Sequence, residues 1–267
     1  MRLLTAAVVS PLLLAAMFLA PLWVWFGVVL VASAIAASEL FAMTHPEDRV
    51  AQAIGIGMTA ATTAAVYFGA RDARVLLTTL LAVPLVGLLV PLWRLGDIRS
   101  AALRIVAGVA APMFVGGSLA TLALLRRDLP EGGRWVVMAL TFAWLADTGG
   151  YFFGRFIGGA KLYEAVSPKK TRAGFVGSLV GASVGAALAT FGYLPALEPA
   201  HAFPLAIVAG ALGQLGDLAE SLLKRSTGIK DSGWVVPGHG GILDRIDALL
   251  VVAPIVYTYA LWTARVG

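Results

Sequence analysis

The chain has 267 residues and no cysteine, which excludes disulfide bonds and thiolate chemistry. Hydrophobic residues make up 59% of it and charged residues only 13%, with a mean hydropathy of +0.86, so the composition excludes an ordinary soluble domain. The formal net charge of +5 does not indicate a nucleic-acid partner, because basic loops beside a membrane account for it.

Apolar runs of about 20 residues recur along the chain, and each is long enough to cross the hydrocarbon core of a bilayer as a helix. The sequence therefore predicts an all-α polytopic membrane protein with about nine transmembrane helices. The predicted spans are 3–20, 22–43, 51–69, 75–93, 101–125, 134–157, 173–194, 203–223 and 246–264. The first run is compatible with a signal peptide, but we expect a retained helix, because a second apolar run follows at once with no clear cleavage site.

Most of the lysines and arginines in the predicted loops fall on the side that carries the N-terminus. Because basic residues concentrate in cytoplasmic loops, we expect a cytoplasmic N-terminus. The two loops richest in basic residues, 155–172 and 224–245, then face the cytoplasm together. An error of one span would move these loops to opposite sides of the membrane.

An acidic residue, Asp147, lies inside the apolar segment WLADTGGYFFGRFIG (144–158). An ionisable group within a span is unfavourable unless it is paired, hydrated or bound to a metal, so Asp147 is a candidate functional residue. Helical spacing puts Asp147, Tyr151 and Gly154 on one face. The alternative is that Asp147 only forms an ion pair with a basic residue of another helix.

The segment KLYEAVSPKKTRAG (161–174) combines turn residues with basic ones. We expect a turn at Ser167 and a helix that opens with Lys169, Lys170 and Thr171. Backbone N–H groups at a helix N-terminus, two ammonium groups and a hydroxyl would suit the oxygens of a phosphate. The alternative is a basic patch that only contacts anionic lipid headgroups.

The next polar segment begins inside an apolar run, at GQLGDLAESLLKRSTGIK (213–230). Asp217, Glu220 or Ser221, and Lys224 follow helical spacing, so they line one face near the cytoplasmic end of a span. Further basic residues follow in the loop, so this helix end presents both acidic and basic groups at the membrane surface.

The chain then continues as DSGWVVPGHGGILDRID (231–247). The Gly-rich turn at 237–241 allows a backbone to approach a phosphate closely. Asp244 and Asp247 are three residues apart at the predicted start of the last span, where they share a helix face. Carboxylates from two helices, with no histidine cluster, suit a hard cation such as Mg²⁺. The alternative, a solvated loop, does not explain paired aspartates beside such a turn.

These segments together provide cations for phosphate groups and carboxylates for a divalent metal at the lipid boundary. No Walker-type lysine loop is present, and no Ser-His-Asp order is evident. The sequence therefore predicts metal-assisted phosphoryl or nucleotidyl transfer on a lipid-embedded substrate.

The same residues resemble the signature of the phosphatidate cytidylyltransferases, also called CDP-diacylglycerol synthases. The matching pattern is Ser221-x-x-Lys224-Arg225, then Lys230-Asp231, then Pro237-x-His239-Gly240-Gly241, then Asp244-Arg245-x-Asp247. ADTGGYFFGR and SPKKT are similar to that family's upstream motifs, in the family's order. The resemblance covers about 144–247 and implies two regions: N-terminal transmembrane helices at 1–132, for packing, dimer contacts and lipid access, and a catalytic transmembrane region at 133–267.

The resemblance implies that CTP and phosphatidic acid react to give CDP-diacylglycerol and pyrophosphate. It also implies Mg²⁺, a supporting monovalent cation such as K⁺, a homodimer, and a site at the cytoplasmic face of a bacterial inner membrane. The implied catalytic residues are Lys224, Arg225 and the three metal ligands Asp217, Asp244 and Asp247. The residues that we expect to bind substrate are Asp147, Ser167, Lys169, Lys170, Thr171, Ser221, Lys230, His239, Gly240, Gly241 and Arg245.

Ala173 departs from the family's pattern, which usually has an acidic residue two positions after the threonine of its Lys-Lys-Thr run. Without that carboxylate, a lysine would lose a partner, or a contact with the metal would be weaker. Other functions stay open at this point: a CTP-dependent polyprenol or dolichol kinase, an archaeol-type cytidylyltransferase, and a transporter of a phosphorylated solute. A transporter predicts internal repeats, and none is evident. A structural scaffold would leave the polar residues of 217–247 unexplained.

Overall fold

The computed structural model describes residues 11–233 and 240–263. Apart from one short hairpin, their regular structure is helical, which confirms the all-α fold class. The helices are α1 (11–18), α2 (Leu22–Thr44), α3 (Arg49–Gly69), α4 (Ala73–Trp93), α5 (Ala101–Ala110), α6 (Ser118–Asp128), α7 (Gly132–Phe156), α8 (Arg172–Leu188), α9 (Pro199–Ser226), α10 (Leu243–Ile246) and α11 (Leu249–Thr263). The strands are β1 (Lys161–Tyr163) and β2 (Ser167–Thr171).

Seven helical stretches of the described chain are long and apolar enough to cross a membrane. They are Leu22–Thr44, Arg49–Gly69, Ala73–Trp93, Ile98–Asp128, Gly132–Phe156, Arg172–Tyr193 and Pro199–Ser226. The predicted span 3–20 lies partly outside the described residues, and the predicted span 246–264 is represented by the 15-residue helix α11. The protein is therefore an integral membrane protein, while the exact count and the orientation stay predictions.

The span Ile98–Asp128 changes its hydrogen-bond register around Pro112, in the π-helical segment Ala111–Gly117 between α5 and α6. Proline lacks a backbone N–H, and its ring clashes with the preceding turn of a regular α-helix. A neighbouring helix takes part here, because the Thr63 hydroxyl donates to the Gly116 carbonyl oxygen at 3.2 Å. Polar backbone groups of the irregular segment thus find partners within the protein, as a membrane interior demands.

The chain divides into two compact units. One comprises Met1–Leu124 with Asp231–Arg245, and the other comprises Leu125–Lys230 with Ile246–Gly267. The described parts of this late segment, 231–233 and 240–245, therefore pack with the N-terminal helices, which was not expected from the sequence. The predicted division of roles between 1–132 and 133–267 stays a prediction.

An ionic cluster around Asp48 ties together the helix ends of the first unit. Asp48 caps α3 by accepting a hydrogen bond from the Ala51 N–H at 3.0 Å. Arg94 Nε donates to both Asp48 oxygens at 3.0 Å, and Arg104 also donates at 3.0 Å. The hydrogen bond from Arg94 is the main cause that lowers the pKa of Asp48 to about 2. Burial, and then the charge of Arg104, lowers the pKa of nearby His45 to about 4.

Helices α7 and α8 of the second unit pack backbone against backbone. A Cβ atom at Gly149 would overlap the Gly177 carbonyl oxygen, and one at Gly181 would overlap the Leu145 carbonyl oxygen. Small residues at such positions allow two membrane helices to approach closely. The contact explains the run of small residues in 177–189, and it holds the end of α7 beside the start of α8.

We expect Gly181→Ala to destabilise the protein by about 1–3 kcal/mol, because the added methyl group forces the two helices apart. Gly192→Ala is the matched control, since no atom lies within 4 Å of a Cβ at that position. The control should stay within about 0.5 kcal/mol of the original protein. Thermal unfolding of both variants in detergent measures the difference, and equal midpoints would contradict the close α7–α8 contact.

We expect stability to fall as the pH drops from 6.5 towards 4, because the unfolded chain binds a proton at His45 that the folded protein does not. The expected loss by pH 4.5 is about 2 kcal/mol. A second loss of stability follows between pH 3.8 and about 2, because Asp48 binds a proton in the unfolded chain at a higher pH than in the folded protein.

Thermal unfolding at pH 7 and pH 4.5 tests this expectation. His45→Gln should flatten the dependence, while His201→Gln, which changes an exposed histidine, should keep it. An unchanged pH dependence in His45→Gln would show that another group is responsible.

Candidate functional site

A cleft of about 370 Å³ opens in the second unit between α7, the hairpin, the start of α8, and α9. The residues that line it are Asp147, Gly150, Tyr151, Gly154, Arg155, Leu162, Lys169, Lys170, Thr171, Gly174, Phe175, Gln214 and Asp217. The predicted site residues among them are Asp147, Lys169, Lys170, Thr171 and Asp217. The structure therefore brings residues from all three polar segments of this unit to one place.

Helix α7 provides one wall of the cleft. Asp147, Tyr151 and Gly154 all line it, as their spacing predicted. Gly154 has no side chain, and a Cβ there would lie 3.4 Å from the Thr171 hydroxyl oxygen. The first turn of α8 therefore reaches the floor of the cleft. At the mouth, Arg155 donates a hydrogen bond to the Tyr151 hydroxyl at 2.7 Å.

The expected turn at Ser167 and helix start at Lys169 are wrong. Ser167–Thr171 form strand β2, which pairs antiparallel with β1, and the turn lies earlier, at 164–166. A residue before proline is disfavoured in the α-helical region, so Pro168 keeps Ser167 extended. Pairing with β1 then extends the rest of the segment, and α8 begins only at Arg172.

Thr171 caps α8 even though it belongs to the strand. Its buried hydroxyl oxygen accepts a hydrogen bond from the Gly174 N–H at 3.0 Å. The first turn of α8 contains no acidic residue. The positive end of this helix therefore adds to the ammonium groups of Lys169 and Lys170, and the three together favour an anion in the cleft.

Lys170 is the centre of a network that joins β2, α7 and α9. Its ammonium nitrogen lies 2.6 Å from Asp217 Oδ2 and donates to the Gln214 carbonyl oxygen at 3.5 Å. The Gln214 side-chain amide donates to Asp147 Oδ1 at 3.2 Å. The Ser221 hydroxyl donates to Asp217 Oδ1 at 3.4 Å. One ammonium group and two carboxylates thus lie in a single network of hydrogen bonds and ion pairs.

A second group of charges continues along α9. The buried side chain of Glu220 forms an ion pair at 3.0 Å with Lys224, which is partly buried. Asp247 lies in the turn before α11, where burial raises the pKa of its carboxyl group. The negative charges of Asp217 and Glu220 raise this pKa further, so the carboxylates repel one another.

Asp244 and Asp247 do not share a helix face, so that expectation is wrong. Helix α10 is a single turn, Leu243–Ile246, and α11 begins only at Leu249. Asp247 Oδ1 accepts a hydrogen bond from the Ala248 N–H at 2.7 Å, and such a local bond competes with continuing the helix. Asp244 belongs to the first unit, where its Oδ2 accepts from Ser232 N–H at 2.9 Å and from Gly241 N–H at 3.1 Å. Its assignment as a metal ligand stays a prediction.

The chemistry of the acidic residues fits a divalent cation in the second unit. Across 11–233 and 240–263, no three histidine, aspartate or glutamate side chains are close enough to form a preformed metal centre. Nevertheless, Asp217 and Asp247 offer carboxylate oxygens, the ligands that Mg²⁺ prefers. Burial is the main cause that raises the pKa of Asp247, and repulsion from Asp217 and Glu220, which a bound cation would offset, adds to it.

Several predicted residues lie away from the cleft. Ser167, Arg225 and Lys230 do not line it, and the last two are exposed. The predicted residues of the first unit are Gly240, Gly241, Asp244 and Arg245, while His239 lies outside the described residues. Gln214 and Arg155 were not predicted as site residues, and Glu220 was expected only on the helix face of Asp217. A polar residue within an apolar span, as at Gln214, is the signal that would have identified it.

Comparisons with known proteins agree with the motifs. The sequence model of the cytidylyltransferase family matches residues 1–262. A phosphatidate cytidylyltransferase of Brucella suis biovar 1 (strain 1330) is 41% identical over 152 residues, which are 56% of this chain and 56% of that relative. A phosphatidate cytidylyltransferase of Staphylococcus haemolyticus (strain JCSC1435) is 42% identical over 125 residues, 47% of this chain and 48% of that relative. The match thus spans about half the length of these curated relatives, and the findings confirm the expected family.

We expect Mg²⁺ to raise the thermal unfolding midpoint, because a cation bound to the folded protein stabilises it by mass action. Asp217→Asn and Asp247→Asn should each reduce that shift. Asp72→Asn should keep it, since Asp72 is an exposed cap of α4 in the other unit. A shift that is equal in all four proteins would contradict binding at Asp217 and Asp247.

Proposed function

The chain belongs to the cytidylyltransferase family, and from this premise we propose that it makes CDP-diacylglycerol and pyrophosphate from CTP and phosphatidic acid. The observation that carries the proposal is the 2.6 Å contact between Lys170 and Asp217 beside the capped start of α8. It joins a phosphate-binding group to a metal-binding group within one cleft of a membrane-embedded unit.

In the proposed reaction, an oxygen of the lipid phosphate attacks the α-phosphorus of CTP. A new P–O bond forms there, the bond from the α-phosphorus to the oxygen that bridges to the β-phosphorus breaks, and pyrophosphate leaves. The lipid phosphate is already an anion at neutral pH, so it needs no strong general base. The main barrier is the approach of two polyanions, which positive charge in the cleft lowers.

The residues of the cleft have separate roles in this proposal. Lys169, Lys170 and the first-turn N–H groups of α8 bind phosphate oxygens. Asp217 and the Gln214 carbonyl hold the Lys170 ammonium in place, so little of its freedom is lost when substrate binds. When bound by Asp217 and Asp247, Mg²⁺ supplies the charge that offsets the phosphates of CTP.

The remaining predicted residues support the site from outside the cleft. Ser221 orients Asp217 through its hydrogen bond, and Lys224 offsets the buried charge of Glu220. The exposed Arg225 and Lys230 attract the anionic nucleotide over a longer range. Asp244 as a third metal ligand, and Gly240, Gly241, Arg245 and His239 as phosphate contacts, complete the proposal.

We assign the enzyme to a bacterial inner membrane with the cleft on the cytoplasmic side, and we propose that it acts as a homodimer with K⁺ as a supporting cation. The concentration of basic residues in the loops 155–172 and 224–245 supports this orientation. CTP reaches such a site from the cytosol, while phosphatidic acid reaches it from the bilayer.

The test is to mix the purified protein with CTP, Mg²⁺ and phosphatidic acid, and to measure pyrophosphate release together with cytidine label in the lipid. Asp217→Asn and Lys170→Met should each lower the rate by about 10²–10³-fold, because each removes charge that stabilises the transition state. Label that stays in soluble CDP would instead indicate a CTP-dependent lipid kinase.

Lys161→Met is the matched control, because it removes the same charge from the neighbouring strand at a residue that does not line the cleft. It should retain close to the original rate. If Lys170→Met and Asp217→Asn stay as active as Lys161→Met while all three remain folded, the cleft is not the catalytic site.

A further inference from the structure

Another acidic residue within a membrane span, Glu39, has no role in the reaction described above. It lies in α2, and its side chain is only 4% exposed. An ionised carboxylate at such a position is strongly unfavourable unless donors surround it. The hydrogen-bond donors around Glu39 therefore show which part of the chain its carboxylate binds.

Three donors from the segment Asp231–Arg245 meet the Glu39 carboxylate. Oε1 accepts a hydrogen bond from the Ile242 N–H at 2.9 Å. Oε2 accepts from the Leu243 N–H at 2.9 Å and from the Ser232 hydroxyl at 3.0 Å. Glu39 thus binds this segment on both sides of residues 234–239, which lie outside the described residues.

Two glycines allow the segment to come this close. A Cβ atom at Gly241 would overlap both the Ser232 hydroxyl and the Glu39 carboxylate. A Cβ at Gly233 would lie 2.7 Å from Glu39 Oε1, which is too close for two non-bonded atoms. Because glycine has no side chain, these two positions leave room for the Glu39 carboxylate beside the backbone.

Asp244 closes the arrangement from the other side. Its Oδ2 accepts from the backbone N–H groups of Ser232 and Gly241 at 2.9 and 3.1 Å. Ser232 is therefore held by two carboxylates, with its hydroxyl on Glu39 and its N–H on Asp244. A displacement of Ser232 or Gly241 would carry Asp244 with it.

We propose that Glu39 is a positioning residue of the enzyme: by binding Ser232, Ile242 and Leu243, it fixes residues 231–233 and 240–245 and so orients Asp244. This inference rests on the proposed function, because Asp244 matters for the rate only if it serves that reaction. It gives the N-terminal helices a part in catalysis beyond packing and lipid access.

Glu39→Gln is the most informative variant, because it keeps the size of the side chain and changes only its hydrogen bonding. One carboxylate oxygen becomes an NH₂ group, which would face the N–H of Ile242 or of Leu243. Two donors cannot bond to each other, so at least one backbone contact is lost whichever way the amide turns.

We expect Glu39→Gln to lower kcat by about 10–100-fold with little change in KM for CTP, since a small misplacement of the site is costly while no substrate contact is removed. Amide hydrogen exchange should accelerate at Gly241, Ile242 and Leu243 more than elsewhere. Ser232→Ala should act in the same direction, and the double variant should be no worse than Glu39→Gln alone, because both remove the same contact.

Ser33→Ala is the control within α2, since Ser33 is fully buried and bonds only its own helix, at the Val29 carbonyl oxygen. It should change neither kcat nor exchange at 241–243. A Glu39→Gln variant that keeps full kcat overturns the inference. Faster exchange spread evenly over all helices also overturns it, because Glu39 would then only support folding.

Failure of the proposed function gives a different result. If the unaltered protein makes no lipid-linked cytidine, the proposed reaction is wrong, and exchange at 241–243 still decides whether Glu39 holds the segment. If the unaltered protein is active and Glu39→Gln matches it, only the positioning role is wrong.

Discussion

A charged side chain inside a membrane protein is stable only where an opposite charge or a hydrogen-bond donor meets it. That constraint applies to the network around Lys170 and to the hydrogen bonds around Glu39. Lys170 meets Asp217 at 2.6 Å, and Glu39 meets the backbone N–H of Ile242 at 2.9 Å. Each contact joins parts of the chain that are far apart in sequence. These charged side chains therefore also hold the surrounding backbone in place.

The close packing of α7 and α8 serves the site as well as the fold. Because the backbones touch at Gly149 and Gly181, the first turn of α8 reaches the cleft, and Thr171 caps it there. A larger residue in this contact would move the start of α8, and with it Lys170, away from Asp217. The small residues of α8 therefore determine the distance between Lys170 and Asp217, although none of them carries a functional group.

Features that depend on local sequence were predictable, and features that depend on distant partners were not. The spans were expected, because each must be apolar along its own length. The proximity of Asp217 and Ser221 was also expected, because it follows from helical spacing. By contrast, β2 requires its partner strand β1 to form. The bonds from Gln214 to Asp147 and from Ile242 to Glu39 join residues 67 and 203 positions apart, and no periodic pattern contains such pairs.

The geometry explains how Lys170 is held in place although residue 173 is alanine and not an acidic residue. The resemblance suggested that a missing acid there would weaken a lysine partner, yet Lys170 finds its counter-ion in Asp217 of α9. An acidic side chain in the first turn of α8 would favour the helix but would also oppose an anion bound at that end. With alanine at this position, no acidic side chain in the first turn of α8 opposes an anion at that helix end. The ion pair across the cleft, rather than a neighbour within the loop, is what holds Lys170 in place.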